Sequence, residues 1–306
     1  MLIVTSFVLL FTGLFTLVVA ADVFVESSAA VARRFNISEM VIGLTLVAFG
    51  TSAPELATSL YAAAVGSSGI AVGTVVGSNI TNVAILGICA AIVPLATDEN
   101  VVRDGLVVLS ISLLLAVLAF QGISRWEGCV LIVAFVSYMA ALRMRGGVTM
   151  QDENIRFSGV LEFLKLCLGG FGIFLGAKLM VDSAVSIAAF FNILESVIGS
   201  TLIAFGTSAP ELAVSVNAAV KRHGGISVGN ILGSNIFNAA LIVGLSSLVR
   251  PLGIDDALFF WNIPMMLFTA ALLLIFIRTK HELSRLEGIV LIATYVVFLC
   301  VNYMLF

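Results

Sequence analysis

The segment Phe35–Ala57 reads FNISEMVIGLTLVAFGTSAPELA, and the segment Phe191–Ala213 reads FNILESVIGSTLIAFGTSAPELA. The two segments are identical at 19 of 23 positions, at a constant offset of 156 residues. The same offset pairs Gly77-Ser78-Asn79-Ile80 with Gly233-Ser234-Asn235-Ile236. A match of this length at a fixed spacing indicates an internal repeat, so the chain is built from two related halves.

The composition places both halves in a membrane. Of the 306 residues, 60% are hydrophobic and only 11% are charged, and the mean hydropathy is +1.17. Soluble proteins carry about 25% charged residues, so a soluble enzyme is excluded, and a disordered chain would need low hydrophobicity. The apolar runs are continuous over about 20 residues, which predicts spanning helices and not the alternating strands of a β-barrel. No basic cluster suggests a nucleic-acid partner.

Polar residues divide the apolar sequence into ten predicted spans. These spans are 2–21, 40–65, 69–93, 105–122, 127–142, 158–187, 195–219, 225–249, 257–277 and 286–305. With the N-terminus outside, 12 of the 15 Lys and Arg residues fall on the inner side and two fall in outer loops. The positive-inside rule therefore predicts that both termini lie outside.

The repeat and the span count together predict the architecture. We expect an N-terminal repeat of five helices (1–142), a short cytoplasmic linker (143–157) and a C-terminal repeat of five helices (158–306). The repeated motifs cover 35–82 and 191–238. Because five is odd, the second half enters the membrane in the opposite orientation to the first. The predicted fold is an all-α integral membrane protein with ten transmembrane helices in two inverted repeats, an arrangement common among secondary transporters.

Each half places one carboxylate near the middle of a span, Glu55 in the second and Glu211 in the seventh. An ionised side chain at that depth is costly unless it is paired, so two of them indicate a bound cation. Pro54 and Pro210 lack an N–H, which predicts that helices two and seven are broken. The carbonyl groups that we expect to be freed by the break belong to Ala48, Thr51, Ala204 and Thr207.

The third and eighth spans supply the other wall of the predicted site. Ser78 and Asn82 are four residues apart and share a helix face, as do Ser234 and Asn238. The candidate ligands are all oxygens, with no thiolate or imidazole among them. This favours Ca²⁺ or Na⁺ over zinc, copper or iron.

These motifs resemble those of a known family. The sequences GTSAPE at Gly50–Glu55 and Gly206–Glu211, with GSNITN at Gly77–Asn82 and GSNIFN at Gly233–Asn238, resemble the paired alpha-repeats of the cation/Ca²⁺ antiporter superfamily. The likeness is greatest to the compact prokaryotic and archaeal sodium/calcium exchangers. It implies Na⁺/Ca²⁺ antiport by alternating access, with electrogenic extrusion of Ca²⁺ across the cell membrane. Spans one and six would slide across the remaining bundle.

The resemblance also implies the ligands. Glu55 and Glu211 would bind Ca²⁺ with the carbonyls of Thr51 and Thr207, and Asn82 and Asn238 would line the centre. The flanking Na⁺ positions would use Ala48, Ser52 and Ser78 on one side, and Ala204, Ser208 and Ser234 on the other.

The resemblance further implies what accompanies the chain. The expected partners are Ca²⁺, Na⁺ and membrane lipid, with no cofactor, no enzyme activity, no Ca²⁺-sensing domain in the short linker, and a monomer as the working assumption. Potassium-dependent exchangers carry Asp where this chain has Asn238, so potassium coupling is not implied.

Three other functions are compared with this one. A Ca²⁺/H⁺ antiporter could carry protons on the same two buried carboxylates, although protons need no hydroxyl-rich flanking positions. A Ca²⁺ channel would also place oxygens along a pore, but inverted repeats around a midplane site favour a transporter. A membrane enzyme is the weakest alternative, since the sequence shows no nucleophile–base pair and no metal-binding histidine motif.

Overall fold

The computed structural model describes residues 2–34, 48–96, 99–144, 159–220, 222, 224–278 and 282–306. The start of the predicted second span (40–47) and most of the predicted linker (145–157) lie outside these residues. The α-helices are α1 (Leu2–Arg34), α2 (Ala48–Thr51), α3 (Ala53–Val65), α4 (Ser68–Ile92), α5 (Glu99–Leu118), α6 (Arg125–Met144), α7 (Gly159–Phe191), α8 (Glu195–Ile198), α9 (Ala204–Thr207), α10 (Ala209–Val220), α11 (Gly224–Ile236), α12 (Val243–Val249), α13 (Ile263–Arg278) and α14 (Arg285–Leu305). Two π-helical segments, Gly199–Ile203 and Phe237–Ile242, join consecutive helices, and a third, Leu258–Asn262, leads into α13. The strands are β1 (Leu95–Ala96) and β2 (Glu282–Leu283).

The described helices are those of a multi-pass membrane protein. Eight of them, counted with their π-helical continuations, are long and apolar enough to cross a membrane. The helical stretches Glu195–Thr207 and Ala209–Val220 meet at an angle of 46° and provide a ninth crossing if they count as one span. Most of the described ends lie within a few residues of the predicted ones. Helix α1, however, continues to Arg34 where the predicted span ended at residue 21, and α5 begins at Glu99 where the predicted span began at residue 105.

The centre of the bundle is formed by α4 and by the continuous helix that comprises α11, the π-helical segment Phe237–Ile242 and α12. In these two elements 83% and 78% of the spanning residues are buried. They also carry the Ser and Asn residues of the two repeated motifs. Because a helix that is buried on every side must satisfy its polar groups internally, these side chains have to meet partners on other helices.

Helices α1 and α7 form an outer pair at the edge of this bundle. Only 22% of the residues in each span are buried. Their contact depends on small residues, since a Cβ on Gly176 would lie 2.7 Å from the backbone nitrogen of Leu17 and 2.8 Å from the carbonyl oxygen of Gly13. Glycines at such a contact let two helix backbones approach closely.

The helical run is interrupted before each proline. A break at Ser52 separates α2 from α3, and a break at Ser208 separates α9 from α10. Both serines have ψ near 9°, away from helical values, with φ of −91° for Ser52 and −79° for Ser208. The two serines beside these breaks are buried, and so are Glu55 and Glu211 in the first turns that follow.

Short backbone ties connect the two halves outside the helices. Strand β1 pairs with β2 in antiparallel register, with Leu95 opposite Leu283. A second bridge joins Ile123 and Leu252, each of which donates its N–H to the other's carbonyl, at 2.8 and 2.9 Å. Each tie therefore joins a connection in one half to a connection in the other.

Candidate cation-binding site

Glu55 and Glu211 lie in the first turns of α3 and α10, and both are completely buried. A position in the first turn of a helix suits a carboxylate, because the unpaired N–H groups of that turn create a positive potential. This stabilisation is modest, whereas burying an ionised carboxylate costs several kcal/mol or more. The environment of each carboxylate therefore has to supply further partners.

The first carboxylate receives hydroxyl groups from both halves. Ser78 Oγ donates to Glu55 Oε1 at 3.2 Å, and Ser208 Oγ donates to the same oxygen at 3.1 Å. Ser78 Oγ also lies 3.4 Å from the carbonyl oxygen of Ala204. Glu55, Ser78, Ser208 and the Ala204 carbonyl thus form one oxygen-rich cluster, which we call cluster A.

The second carboxylate has the mirror-image surroundings. Ser52 Oγ donates to Glu211 Oε1 at 3.0 Å, and Ser234 Oγ donates to it at 3.5 Å. The hydroxyl oxygens of Ser234 and Thr51 are also 3.5 Å apart. Glu211, Ser52, Ser234 and Thr51 form cluster B.

The clusters correct the grouping that the sequence suggested. We expected Ala48, Ser52 and Ser78 to act together, but Ser52 lies in cluster B and Ser78 lies in cluster A. The reason is that each broken helix reaches across to the other half, so that its serine bonds to the carboxylate of the opposite repeat. The same correction applies to Ala204 and Ser208, which join Ser78 and not Ser234.

The carbonyl of Ala204 is also less free than expected. It accepts the N–H of Ser208 at 3.1 Å and the hydroxyl of Thr207 at 3.3 Å. The missing N–H of Pro210 would instead have reached the carbonyl of Gly206, four residues earlier. The Ala204 oxygen nevertheless faces cluster A, because it also lies within hydrogen-bond distance of Ser78.

Several polar atoms of the site have no hydrogen-bond partner among the described residues. They include the second carboxylate oxygen, Oε2, of Glu55 and of Glu211. The amide oxygens (Oδ1) of Asn82 and Asn238 also lack a hydrogen-bond partner among these residues. Because more than 90% of buried polar groups in proteins are satisfied, four unsatisfied oxygens in one region indicate a place for cations.

Two further asparagines, Asn79 and Asn235 of the repeated GSN motif, join the central helices and were not among the predicted site residues. Asn79 Nδ2 donates to the carbonyl oxygen of Asn235 at 3.1 Å, and Asn235 Nδ2 donates to the carbonyl oxygen of Asn79 at 3.2 Å. The signal that could have identified them is the 156-residue offset, which pairs these two residues. Both are 2% exposed.

Comparison with known proteins identifies the class of this architecture. The family model described as sodium/calcium exchanger protein matches residues 5–144 and 161–304. The sodium/calcium exchanger MaX1 of Methanosarcina acetivorans is 36% identical over 99% of both chains. An uncharacterized membrane protein of Methanocaldococcus jannaschii is 37% identical over 93% of this chain and 94% of its own length.

Solved structures agree with the sequence relatives. A structure of the sodium-calcium exchanger NCX_Mj, from crystals soaked with Na⁺ and Sr²⁺, has 34% sequence identity and a TM-score of 0.68, and the match covers 97% of this chain and 99% of that one. A structure of the same exchanger soaked with Na⁺ and Ca²⁺ gives a TM-score of 0.67 at 35% identity, over 100% and 99% of the two chains.

The chain is therefore a multi-pass transmembrane antiporter and not an enzyme. It belongs to the sodium/calcium exchanger family, which confirms the resemblance seen in the repeated motifs.

Proposed function

We propose that this protein is an electrogenic Na⁺/Ca²⁺ antiporter that extrudes Ca²⁺ from the cell on the Na⁺ gradient by alternating access. The observation that carries the proposal is the pair of buried carboxylates, Glu55 and Glu211, each bonded to serines through one oxygen and left with a second oxygen without a partner. Two carboxylates balance the charge of one Ca²⁺. Three Na⁺ would exceed that charge by one, so an exchange of three for one would move net charge.

The donor types support both ions at this site. Carboxylate, hydroxyl, amide and carbonyl oxygens are the ligands of hard cations, and Ca²⁺ takes about 6–8 of them. We assign Ca²⁺ to the centre, between Glu55 and Glu211, with the carbonyls of Thr51 and Thr207 and the amides of Asn82 and Asn238. Cluster A would hold one flanking Na⁺, and cluster B, together with the Ala48 carbonyl, would hold the other.

The full architecture is part of the proposal. We infer ten spans in two inverted five-helix repeats, the linker 143–157 on the inner side, and both termini outside the cell membrane. Corresponding contacts recur in the two halves with the roles exchanged, as in clusters A and B, which supports a two-fold relation between the halves. The odd number of spans in each half is what implies that the second half is inverted. Such a structure can reach inward-open and outward-open states of nearly mirror-image form.

Ion-substituted flux through reconstituted vesicles tests the function. Vesicles loaded with Na⁺ should take up Ca²⁺ when they are diluted into Na⁺-free buffer, and an inside-negative potential imposed with a K⁺ ionophore should change the rate. Glu55→Gln should reduce uptake by roughly 100-fold or more, because it removes a buried charge. Glu282→Gln, which changes an exposed carboxylate in β2, is the matched control.

Two results would contradict the proposal. Absence of Na⁺-driven uptake by the wild-type protein would exclude Na⁺/Ca²⁺ exchange, and normal uptake by Glu55→Gln would exclude the assigned site. The alternative function is Ca²⁺/H⁺ antiport, which the unpartnered oxygens of Glu55 and Glu211 also favour, because a proton could occupy them. Ca²⁺ uptake driven by a pH gradient in the absence of Na⁺ would identify that activity.

A further inference from the structure

The two central helices are joined by a symmetric pair of hydrogen bonds that no ion ligand takes part in. Each of Asn79 and Asn235 donates its side-chain amide to the backbone carbonyl of the other, at 3.1 and 3.2 Å. We call this pair the asparagine clasp. Because the two residues correspond in the two repeats, the clasp lies where the repeats are related by symmetry.

One of the two amide oxygens of the clasp has a further role. Asn235 Oδ1 accepts a hydrogen bond from Asn82 Nδ2 at 3.0 Å. This bond fixes the orientation of the Asn82 amide, so that its nitrogen points to the clasp and its oxygen is left without a partner among the described residues. An oxygen held in this way is preorganised to bind a cation.

The symmetric counterpart of this bond would join Asn238 Nδ2 to Asn79 Oδ1. Neither atom has a hydrogen-bond partner among the described residues, although Asn79 is 2% exposed and Asn238 is completely buried. The amide nitrogen and the amide oxygen of Asn238 both lack a partner among the described residues. The clasp is therefore symmetric, but only one of the two bonds that it can make to the central asparagines is formed.

The backbone explains why the second bond is open. Helix α4 continues through Asn82 as a regular α-helix, whereas the corresponding residue, Asn238, lies in the π-helical segment Phe237–Ile242. A π-helical turn contains an additional residue, so it rotates the side chains that follow relative to those before it. The Asn238 amide is thereby turned differently toward the clasp than the Asn82 amide.

We propose that Asn79 and Asn235 act as an amide switch, which holds Asn82 as a ligand in this conformation and holds Asn238 in the opposite one. In inverted repeats the two halves exchange their conformations when access alternates. The open Asn238–Asn79 bond is then formed and the Asn82–Asn235 bond is broken. Asn79 and Asn235 are positioning residues, and this proposal rests on the transport function proposed above.

Mirror-image substitutions test the switch. Asn235→Leu and Asn79→Leu both remove one bond of the clasp, but in this conformation only Asn235→Leu also releases Asn82. Loss of one orienting hydrogen bond should weaken apparent Ca²⁺ affinity about fivefold. The matched control is Asn302→Leu, which removes an equally buried amide whose bond, to the carbonyl of Phe298, stays within its own helix.

A switch differs from simple destabilisation in the side of the membrane on which the KM for Ca²⁺ changes. In vesicles with the protein in one orientation, Asn235→Leu should raise the KM for Ca²⁺ about fivefold at one face and Asn79→Leu should raise it at the other face. Equal changes at both faces for each variant, or a fall in maximal rate with KM unchanged, would overturn the switch. If the leucine variants do not fold, Asn235→Ser and Asn79→Ser replace them, since a serine hydroxyl is too short to reach the other helix.

Calorimetric Ca²⁺ binding to the purified protein distinguishes failure of the switch from failure of the proposed function. This measurement needs no Na⁺-driven flux, and the switch predicts a larger loss of affinity for Asn235→Leu than for Asn79→Leu. A wild-type protein that binds Ca²⁺ without exchanging it for Na⁺ contradicts the proposed function only. Equal losses in the two variants contradict the switch only, and a wild-type protein that binds no Ca²⁺ contradicts both.

Discussion

The central helices α4 and α11 and the outer helices α1 and α7 are held together by different forces. The central pair is joined by buried hydrogen bonds, namely the two bonds of the asparagine clasp and the bond from Asn82 to Asn235. The outer pair is joined by close contact between small and apolar side chains. Hydrogen bonds specify the relative position of two helices to within a fraction of an ångström, whereas a smooth apolar contact specifies it weakly.

This difference indicates that the two pairs of helices have different functions. In the proposed function the central helices carry ion ligands, and the hydrogen bonds between Asn79, Asn82 and Asn235 would have to break if these helices moved apart. The outer helices carry few buried residues and can move together as a pair at lower cost. We therefore expect the outer pair to be the mobile part of the transporter. The central pair would be its fixed frame, in which the two helices keep their relative position and only the amide hydrogen bonds of the proposed switch change.

The largest expected effect concerns the charges of the two buried carboxylates. Acidification from about pH 8 to about pH 5 should reduce Ca²⁺ uptake at least tenfold, because protonation of Glu55 and Glu211 removes the negative charge that attracts the cation. Transport is then highest at high pH and is lost as the pH falls. Initial uptake rates measured across this range, with the Na⁺ gradient held constant, check the prediction.

The matched control for acid inhibition is Asp182→Asn, which removes an exposed carboxylate from the outer pair. Its pH profile should follow that of the wild type. A constant rate over the whole range would contradict a role for the buried carboxylates. A profile that changes in Asp182→Asn would place the titrating group in the outer pair.

The second prediction concerns packing of the central helix α4. A Cβ added to Gly77 would clash with the backbone of Ser200, and one added to Gly73 would lie 2.7 Å from the carbonyl oxygen of Ser196. Because the obstruction is backbone, it cannot be relieved by a change of rotamer. Gly77→Ala should therefore reduce stability by about 1–3 kcal/mol, which corresponds to a fall of roughly 5 °C in the melting temperature measured in detergent.

The control is a glycine whose described surroundings leave room for a methyl group. A Cβ on Gly170, in α7, would have an atom of Phe24 as its nearest neighbour, at 3.9 Å. Gly170→Ala should consequently lower the melting temperature by less than Gly77→Ala does. Equal losses would contradict a specific obstruction of Gly77 by the backbone of Ser200.

Much of the central region could be predicted from the sequence, because the repeat identifies its residues twice. The positions of Glu55 and Glu211, the helix breaks beside Pro54 and Pro210, and the hydroxyl-rich partners all follow from GTSAPE and GSN at one offset. The family was predicted from the same letters. The full length of α1 could not be predicted, since polar residues after position 21 end the apolar run without ending the helix.

Two features of the site depend on the folded structure itself. Ser52 and Ser208 each bond to the carboxylate of the opposite half because the two halves pack against each other in the fold. A sequence pattern within one half carries no information about that packing. Asn82 and Asn238 occupy the same position in nearly the same motif, yet only Asn82 is hydrogen-bonded to the clasp. That difference arises from the π-helical segment at Phe237–Ile242, which the two similar motifs do not reveal.

The third prediction concerns the contact within the outer pair. Gly176→Ala should lower the melting temperature by about 2–4 °C, because its Cβ would lie 2.6 Å from the Cβ of Leu17 and 2.7 Å from that residue's backbone nitrogen. The loss should be smaller than that of Gly77→Ala, since α1 and α7 can separate slightly at the edge of the bundle. Gly170→Ala on the same helix is the control, because the nearest atom to its Cβ, on Phe24, is 3.9 Å away. A loss as large as that of Gly77→Ala would mean that the outer pair is as rigidly held as the centre.

The smallest expected effect concerns a polar tie between the outer pair and helix α3. Lys178 Nζ donates to Asp182 Oδ2 at 2.6 Å, and Tyr61 Oη donates to Asp182 Oδ1 at 3.2 Å. The side chains of Lys178 and Asp182 are 46% and 47% exposed at the protein surface, and an ion pair that water reaches contributes about 0–1 kcal/mol. Lys178→Met should therefore change the melting temperature by less than about 2 °C and the rate of Ca²⁺ uptake by no more than about twofold.

The sign of any larger change would reveal how the outer pair moves. If the tie to Tyr61 restrains α7 in this conformation, its loss should raise the maximal rate and leave the KM for Ca²⁺ unchanged, because α7 itself carries none of the proposed ion ligands. Tyr61→Phe, which keeps the ring and its edge contact with Phe174 but removes the hydroxyl, should then have the same effect as Lys178→Met. A large rise in KM for either variant would show that the outer pair also positions the ligands, and would contradict the separation of a fixed frame from a mobile pair.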